Sequence, residues 1–404
     1  MENVFDLLEK RGFVYQTSNE AGVRRLLGKP PATLYCGFDP SADSLHLGHL
    51  LVIMAMHHLQ EAGHRVIYLI GGATGLVGDP TGKARARKRL TPEVVAANAE
   101  RIKAQVEGMG LLRFHGKNAA LMLNNYDWLG KFLFLSDFMM EIAPAFSVNE
   151  MVKMETFAQR LKEERHLSLL EFLYPAMQAW DFLHLFKQYD CRLQIGGQDQ
   201  WGNILQGVDL IRRRHNEEAF ALTFPLLTDP QTGVKMGKTE KGPVWLDPQR
   251  TPPFEMYQYI QGLPDGLVRK MLPLYTFLPM DEIGEIVKDP RAAQLRLAFE
   301  VTKIVHGEEA AQRARQDARR LFGREEGAAE AIPTFTLPRG GLQLDEVLTR
   351  SRALSSRSEV RRRCEGGAIR IGEKKVTDPK TLINSECIIR YGKGKFLKVE
   401  FPAD

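Results

Sequence analysis

Cysteine is scarce in this chain: four in 404 residues, Cys36, Cys191, Cys364 and Cys387. No two form a Cys-x-x-Cys pair, which argues against a structural zinc site or a disulfide framework and for a reducing cytoplasm. Long apolar runs are also missing. No stretch approaches the roughly 20 residues needed to cross a bilayer, so no membrane partner is expected. The first residues (Glu2, Asp6, Glu9) are acidic with a helical pattern and resemble neither a secretory signal nor a transit peptide. Gly82-Lys83 fails as a P-loop, because the upstream glycine position is Val77 and the next residue is Ala84. His46-x-x-His49 lacks the spacing of a zinc protease. No Gly-x-Ser-x-Gly elbow occurs. Internal repeats are absent.

What remains is a globular composition, 44% hydrophobic and 26% charged, at a length that calls for two or three domains. The net charge of +5 is uneven. From Asp345 to Asp404 there are 14 Lys and Arg against 9 Asp and Glu, while the preceding 344 residues hold 41 of each. A polyanionic partner at that end and a solvated basic surface both account for the excess.

Residues 33–38 read as a short buried strand, followed by a turn in which Asp43 or Ser44 could cap a helix from Leu45 to Ala62. Val66 to Ile70 reads as a strand covered on both faces. Strand, helix and strand form a βαβ unit and hence a parallel sheet, whose ligands lie outside the carboxyl ends of the strands. A second passage runs from Leu193-Gln194-Ile195 into a helix over Trp201 to Arg214. Between the two lies a mainly helical insertion. Residues 252–322 are again helical, and Gly323 to Ala331 has the composition of a linker.

Two motifs about 190 residues apart carry the chemistry. His46 and His49 share one face of a helix start, where free N–H groups and the helix dipole favour phosphate. Gly48 costs that helix about 1 kcal/mol relative to alanine, which close approach of a ligand to the backbone would offset. Lys235-Met236-Gly237-Lys238-Thr239 sets two ammonium groups on a loop, where they can follow charge onto a leaving pyrophosphate. Either motif alone also fits an ordinary surface. Tyr174, Gln178 and Asp181 fall on one face of a strongly apolar helix. A buried Asp181 there needs a donor, either a ligand hydroxyl or an internal arginine.

These residues resemble a known family, the bacterial-type tyrosyl-tRNA synthetases of class I, over essentially the full length. The matching stretches are Tyr35 to Pro40, His46 to His49, Gly78 to Lys83, Asn124 to Trp128, Tyr174 to Asp181, Gln194 to Asn203 and Lys235 to Thr239. The resemblance implies an α/β fold. A catalytic domain with a Rossmann-like parallel sheet would span 1–248, with a helical insertion at about 115–165 forming a homodimer interface. An α-helical domain (249–322), a linker (323–334) and a small α+β S4-like domain (335–404) would follow.

It also implies roles. Tyr35 and Asp181 would bind the phenol of L-tyrosine, Tyr174, Gln178 and Asp79 its ammonium group, and Gln200 its carboxylate. Cys36, Gly197 and Asp199 would contact the ATP ribose, with Gly37, Asp39 and Gly48 also lining the nucleotide site. Ser41 and His46 would meet the γ-phosphate, and His49 the ribose region. Lys83, Arg87, Lys235, Lys238 and Thr239 would clamp the pyrophosphate. Mg2+ would accompany ATP, with no dedicated metal site in the protein. The tail (Leu354 to Arg362, Gly367 to Ile371, Lys375 to Asp378) resembles an S4 RNA-binding domain. That implies Arg357, Arg361, Arg362, Arg370 and Lys375 as contacts to tRNA(Tyr).

The chain departs from the family pattern at Leu47, which replaces an isoleucine, and at Gly237 and Thr239, which replace serines. A tryptophan-specific synthetase is the near alternative, and an RNA-binding or splicing factor on the same fold the distant one.

Overall fold

The computed structural model describes residues 3–81, 90–131, 133–228, 238–239, 242–322, 333–337, 340–372, 374–392 and 395–401. The chain divides into two compact units. Met1–Pro252 and Leu263–His306 form the first, and Pro253–Gly262 and Gly307–Asp404 the second.

The first unit is built on six strands: β1 (Gln16–Thr17), β2 (Thr33–Phe38), β3 (Arg65–Ile70), β4 (Leu121–Asn124), β5 (Cys191–Gly197) and β6 (Phe220–Phe224). Their order is β1-β6-β5-β2-β3-β4, parallel except for the antiparallel edge strand β1. Val66 to Ile70 is buried residue by residue, as a strand covered on both faces must be. Register pairs Thr33 with Arg65 and Phe38 with Ile70, and the Phe38 ring stacks on Tyr68 at 4.2 Å. From β2 the chain crosses through helix Leu47–Glu61 to β3 on one side. From β5 it crosses through helix Trp201–His215 to β6 on the other. The order therefore reverses between β2 and β5, and a crevice opens beyond their carboxyl ends.

Three expectations change. The first helix begins at Leu47 with His46 as its cap, rather than at Leu45 behind Asp43 or Ser44. Asp43 is engaged elsewhere, in ion pairs with Arg101 (2.9 Å) and Arg250, while the Ser44 hydroxyl donates to the Leu45 carbonyl at 2.8 Å. Within the supposed helical insertion, Leu121–Asn124 is the edge strand β4, so helix starts only at Tyr126. Four half-buried residues are too few to reveal a strand period. Finally, residues 263–306 belong with the first unit, not with a helical domain over 249–322. The Tyr275 hydroxyl donates to the Leu47 carbonyl at 3.1 Å. Buried Arg11 donates to the carbonyls of Pro273 (2.8 Å), Leu278 (3.1 Å) and Thr276.

Helix Leu169–Tyr189 supplies much of the crevice wall. A reciprocal Ser168–Glu171 cap starts it and Asp190 in the left-handed region (φ 48°) ends it. A buried ion pair, Arg160 to Glu171 at 2.9 Å, ties its first turn to the insertion.

The second unit holds helices Pro253–Gln261 and Glu308–Phe322 and a five-stranded sheet. That sheet runs Lys374–Lys375, Arg370–Ile371, Cys387–Gly392, Lys395–Glu400, Thr334–Thr336. Helices Leu344–Arg350 and Arg357–Glu365 share its core through Leu344, Leu348, Val360, Ile369, Ile389 and Leu397. Of the expected linker, residues 323–332 lie outside the described residues.

Candidate active site

The crevice is a cavity of about 540 Å³ beyond β2 and β5. From β2 and its turn come Tyr35, Cys36, Gly37, Asp39 and Ser41. From the first crossover helix come His46, Gly48 and His49. Asp79, Tyr174, Gln178 and Asp181 line it too, as do Gly197, Asp199 and Gln200 after β5. Lys83, Arg87 and Lys235 lie outside the described residues, as do the side chains of Lys238 and Thr239.

Asp181 is 2% exposed. Its Oδ1 accepts from the Trp128 indole at 2.7 Å and its Oδ2 from the Asn125 amide at 2.9 Å. Both donors are neutral, so the internal arginine considered from sequence is not its partner here. Burial raises the carboxyl to about 7 against the pull of the Asn125 and Trp128 bonds, with nearby Asp39 adding to the rise. The Tyr35 hydroxyl is buried with no hydrogen-bond partner, and burial followed by Asp181 pushes its ionisation up. Gln194, in register with Tyr35 on the adjacent strand, has a buried, unpartnered carbonyl oxygen and lines the cavity. Orphan polar atoms of this kind call for a ligand that both donates and accepts.

The bonding continues across the cavity wall. Asn125 also donates to Thr74 Oγ1 at 3.0 Å, and Thr74 donates to Asp39 Oδ1 at 2.7 Å. The Tyr174 hydroxyl donates to Asp39 Oδ2 at 2.8 Å. A second group joins Gln200 to Asp79 (2.6 Å), Gln178 to Gln200 (3.4 Å) and Asn203 to Gln178 (3.3 Å). Cys36 is a neutral thiol, pushed up to about 12 by burial. A Cβ at Gly37 would meet nothing within 4 Å, which leaves room at the strand end for a ligand.

At the helix start the geometry departs from the expectation of free N–H groups. Leu47 N–H donates to Val244 O (3.1 Å), Gly48 N–H to His46 Nδ1 (3.1 Å) and His49 N–H to His46 O (2.8 Å). His49 Nδ1 in turn accepts from the His46 N–H at 3.1 Å, and the two rings stack at 3.8 Å. With each Nδ1 accepting, a neutral ring carries its proton on Nε2. The first backbone N–H groups of this helix mouth are thus engaged within the protein. Glycine at 48 is explained by the same cap, because a Cβ there would sit 2.9 Å from His46 Cε1.

Backbone that follows the lysine motif runs beside this helix mouth. Lys238 and Thr239 pair antiparallel with Pro243 and Gly242. Directly after this pairing, Leu246 N–H donates to Leu45 O at 2.8 Å, opposite the Leu47–Val244 bond. Trp245, which lines the cavity, carries the Arg250 guanidinium over its ring at 3.7 Å.

In the second unit Arg357, Arg361, Arg362, Arg370 and Lys375 are all exposed. Arg357 pairs with Glu346 at 2.8 Å. Arg370 faces Lys375 on one neighbouring strand and Arg390 on the other, both in register. Like charges opposite one another cost stability, so such a ladder points to an anionic partner. Arg390 is absent from the residues expected from sequence, since only strand register brings it beside Arg370. Asn125, Trp128, Thr74, Gln194 and Trp245 also carry no role there. Asn125, Trp128 and Gln194 lie in stretches that match the family, and a carboxylate inside an apolar helix needs partners, but neither sign gives these residues a role.

Comparisons with known proteins narrow the class. Residues 28–323 match the family of class I tRNA synthetases (W and Y), and residues 343–386 match the S4 domain. A tyrosine–tRNA ligase of Clostridium botulinum is 44% identical, with 99% of each chain covered. One from Acetivibrio thermocellus is also 44% identical, over 99% of this chain and all of that one. A C-terminally truncated Aspergillus nidulans mitochondrial tyrosyl-tRNA synthetase superposes with a TM-score of 0.71 at 30% identity, covering 80% of this chain and 95% of the other. The chain belongs to the tyrosyl-tRNA synthetases of class I.

Proposed function

We propose that the protein activates L-tyrosine with ATP and transfers it to tRNA(Tyr). One observation carries the choice of amino acid: the buried Asp181 carboxylate and the unpartnered Tyr35 hydroxyl belong to one cavity. A phenol answers both at a single atom, its O–H donating to Asp181 while its oxygen accepts from Tyr35. An indole N–H donates but accepts nothing, and phenylalanine does neither. Leaving buried polar groups unpaired is how such a site rejects an analogue; the tyrosine enzyme is itself the standard illustration of that rule.

The substrate ammonium fits against Asp79 and the Gln178 carbonyl, with Tyr174 beside them, and the carboxylate lies toward Gln200. Asp39, Cys36, Gly37, Gly48, Gly197 and Asp199 then line the nucleotide side. The carboxylate attacks the α-phosphate in line and pyrophosphate leaves. A carboxylate needs no base to become a nucleophile, so positioning and charge stabilisation supply the rate. His46 and His49 bring their rings to the phosphates from the helix start, with Ser41 near the γ-phosphate. Lys83, Arg87, Lys235, Lys238 and Thr239 would hold the departing pyrophosphate, at about 1.5–3 kcal/mol for each aligned charged bond. Mg2+ enters on the phosphates of ATP. The terminal hydroxyl of tRNA(Tyr), held through the basic second unit, then attacks the activated carbonyl; the acyl–phosphate bond breaks, AMP leaves, and the hydroxyl proton passes to the departing phosphate or to solvent.

The insertion supports a homodimer. Leu133, Met140 and Val148 are 62–68% exposed, an apolar surface of the sort subunit interfaces bury. The four free thiols suit the cytoplasm. Among the described residues no helix is long and apolar enough to cross a membrane.

Amino-acid-dependent pyrophosphate exchange is the deciding experiment. Tyrosine alone should stimulate it. Stimulation by tryptophan instead, or by neither, would remove the assignment.

A further inference from the structure

Trp128 and His184 stand behind the phenol pocket. Neither lines the cavity. Trp128 gives its one N–H to Asp181 at 2.7 Å, and its indole lies flat on the His184 imidazole, ring centroids 4.3 Å apart and planes 14° apart. Asp181 and His184 are three apart on helix Leu169–Tyr189, so one helical face grips the indole twice. The hydrogen bond fixes where the N–H points. It leaves the ring free to rock about that bond, and the stacked imidazole removes this freedom. Burial, followed by Lys187, lowers the imidazole's affinity for a proton, so the stack joins two neutral rings.

We propose that His184 is a positioning residue for substrate selection: by stacking on Trp128 it keeps the indole N–H on Asp181 and so preserves the acceptor that distinguishes tyrosine from phenylalanine. The inference rests on Asp181 receiving the substrate phenol. Without the stack, the indole tilts and Asp181 is left with Asn125 as its one neutral donor. A buried carboxylate short of donors takes up a proton more readily and then accepts only weakly from the phenol. Phenylalanine never used that acceptor and loses nothing.

The test uses the full-length protein with His184→Phe, which keeps a flat face, and His184→Leu, which keeps bulk without one. Pyrophosphate exchange is measured against tyrosine, phenylalanine and ATP. His184→Leu should raise the tyrosine KM about tenfold, the upper range of what a stacked pair contributes. Its ATP KM, phenylalanine KM and kcat should stay within about twofold. His184→Phe should stay near wild type. A normal tyrosine KM in the leucine variant overturns the proposal. So does an equal loss in both variants, or a parallel rise in the ATP KM, which would mark a general lesion. Wild-type protein that shows no tyrosine-dependent exchange instead defeats the underlying reading, before any variant is needed.

Discussion

Deep in the cavity a single carboxylate, Asp181, 2% exposed, is held by two neutral donors. In the second unit Arg361 and Arg362 stand in solvent, with no ion-pair partner among the described residues. The neighbouring Arg363 is spent internally, on the Tyr391 carbonyl at 2.9 Å and on Glu359 at 2.6 Å. On the proposed function, the two regions recognise their partners by opposite means. The pocket takes its selectivity from desolvation, where one missing hydroxyl strands buried groups. The basic face takes affinity from released counterions, where each contact counts for little and salt weakens all of them. Selection among amino acids therefore hangs on a few atoms, and capture of tRNA on many.

The harshest way to break that contrast is Asp181→Ala. It strands the Asn125 amide and the Trp128 indole as well as the substrate phenol. We expect kcat/KM for tyrosine to fall by about a thousandfold or more, as truncation of a buried charged partner does. The ATP KM should move less than about twofold in the same exchange assay. Turnover close to wild type would mean that the phenol binds elsewhere. Removal of residues 335–404 tests the other side. Adenylation should survive, while tRNA charging falls by about a hundredfold or more, since most phosphate contacts go with the segment. Equal loss of both steps would make the tail a structural prop.

A finer test exploits the burial of Asp181, which lifts its carboxyl from 3.8 to about 7. Below that value the group is protonated and is a much weaker acceptor for a phenol. kcat/KM for tyrosine should therefore drop toward tenfold per pH unit on the acid side, and Asp181→Asn should lose this limb. Stability carries the opposite sign. A carboxyl raised on folding contributes fully below its unfolded value of 3.8, and that contribution is lost as pH rises through about 7. The asparagine variant should accordingly compare better with wild type in Tm at about pH 8 than at about pH 5.

Much of this pocket is legible in sequence because its signals are local. Residues 33–38 read as a short buried strand and 66–70 as a continuous apolar run, and they form β2 and β3 nearly as bounded. Tyr174, Gln178 and Asp181 share a helical face by spacing alone, and all three line the cavity. What escapes sequence is of two kinds. The His46 cap escapes because Asp43 and Ser44 are the better cap residues, and only the folded chain shows them engaged elsewhere. The donors to Asp181 escape because Asn125 comes from the cap directly after β4 and Trp128 from the helix it starts, 56 and 53 residues away in sequence. Periodicity says that a buried carboxylate needs partners, but not which strand will bring them.

The smallest expected effect lies on the basic face, and it sharpens the comparison most. Arg361 and Arg362 sit side by side on helix Arg357–Glu365, exposed, one turn after the Ser356 cap. Replacing both with alanine should cost charging about tenfold at roughly 0.15 M salt and leave pyrophosphate exchange untouched. The slope of log KM for tRNA against log salt should shrink by about two, close to one released counterion per arginine. A selectivity determinant behaves otherwise. If the loss were confined to tRNA(Tyr) and the salt slope stayed unchanged, these arginines would read bases rather than phosphates, and the division between a selective pocket and a non-selective basic face would fail.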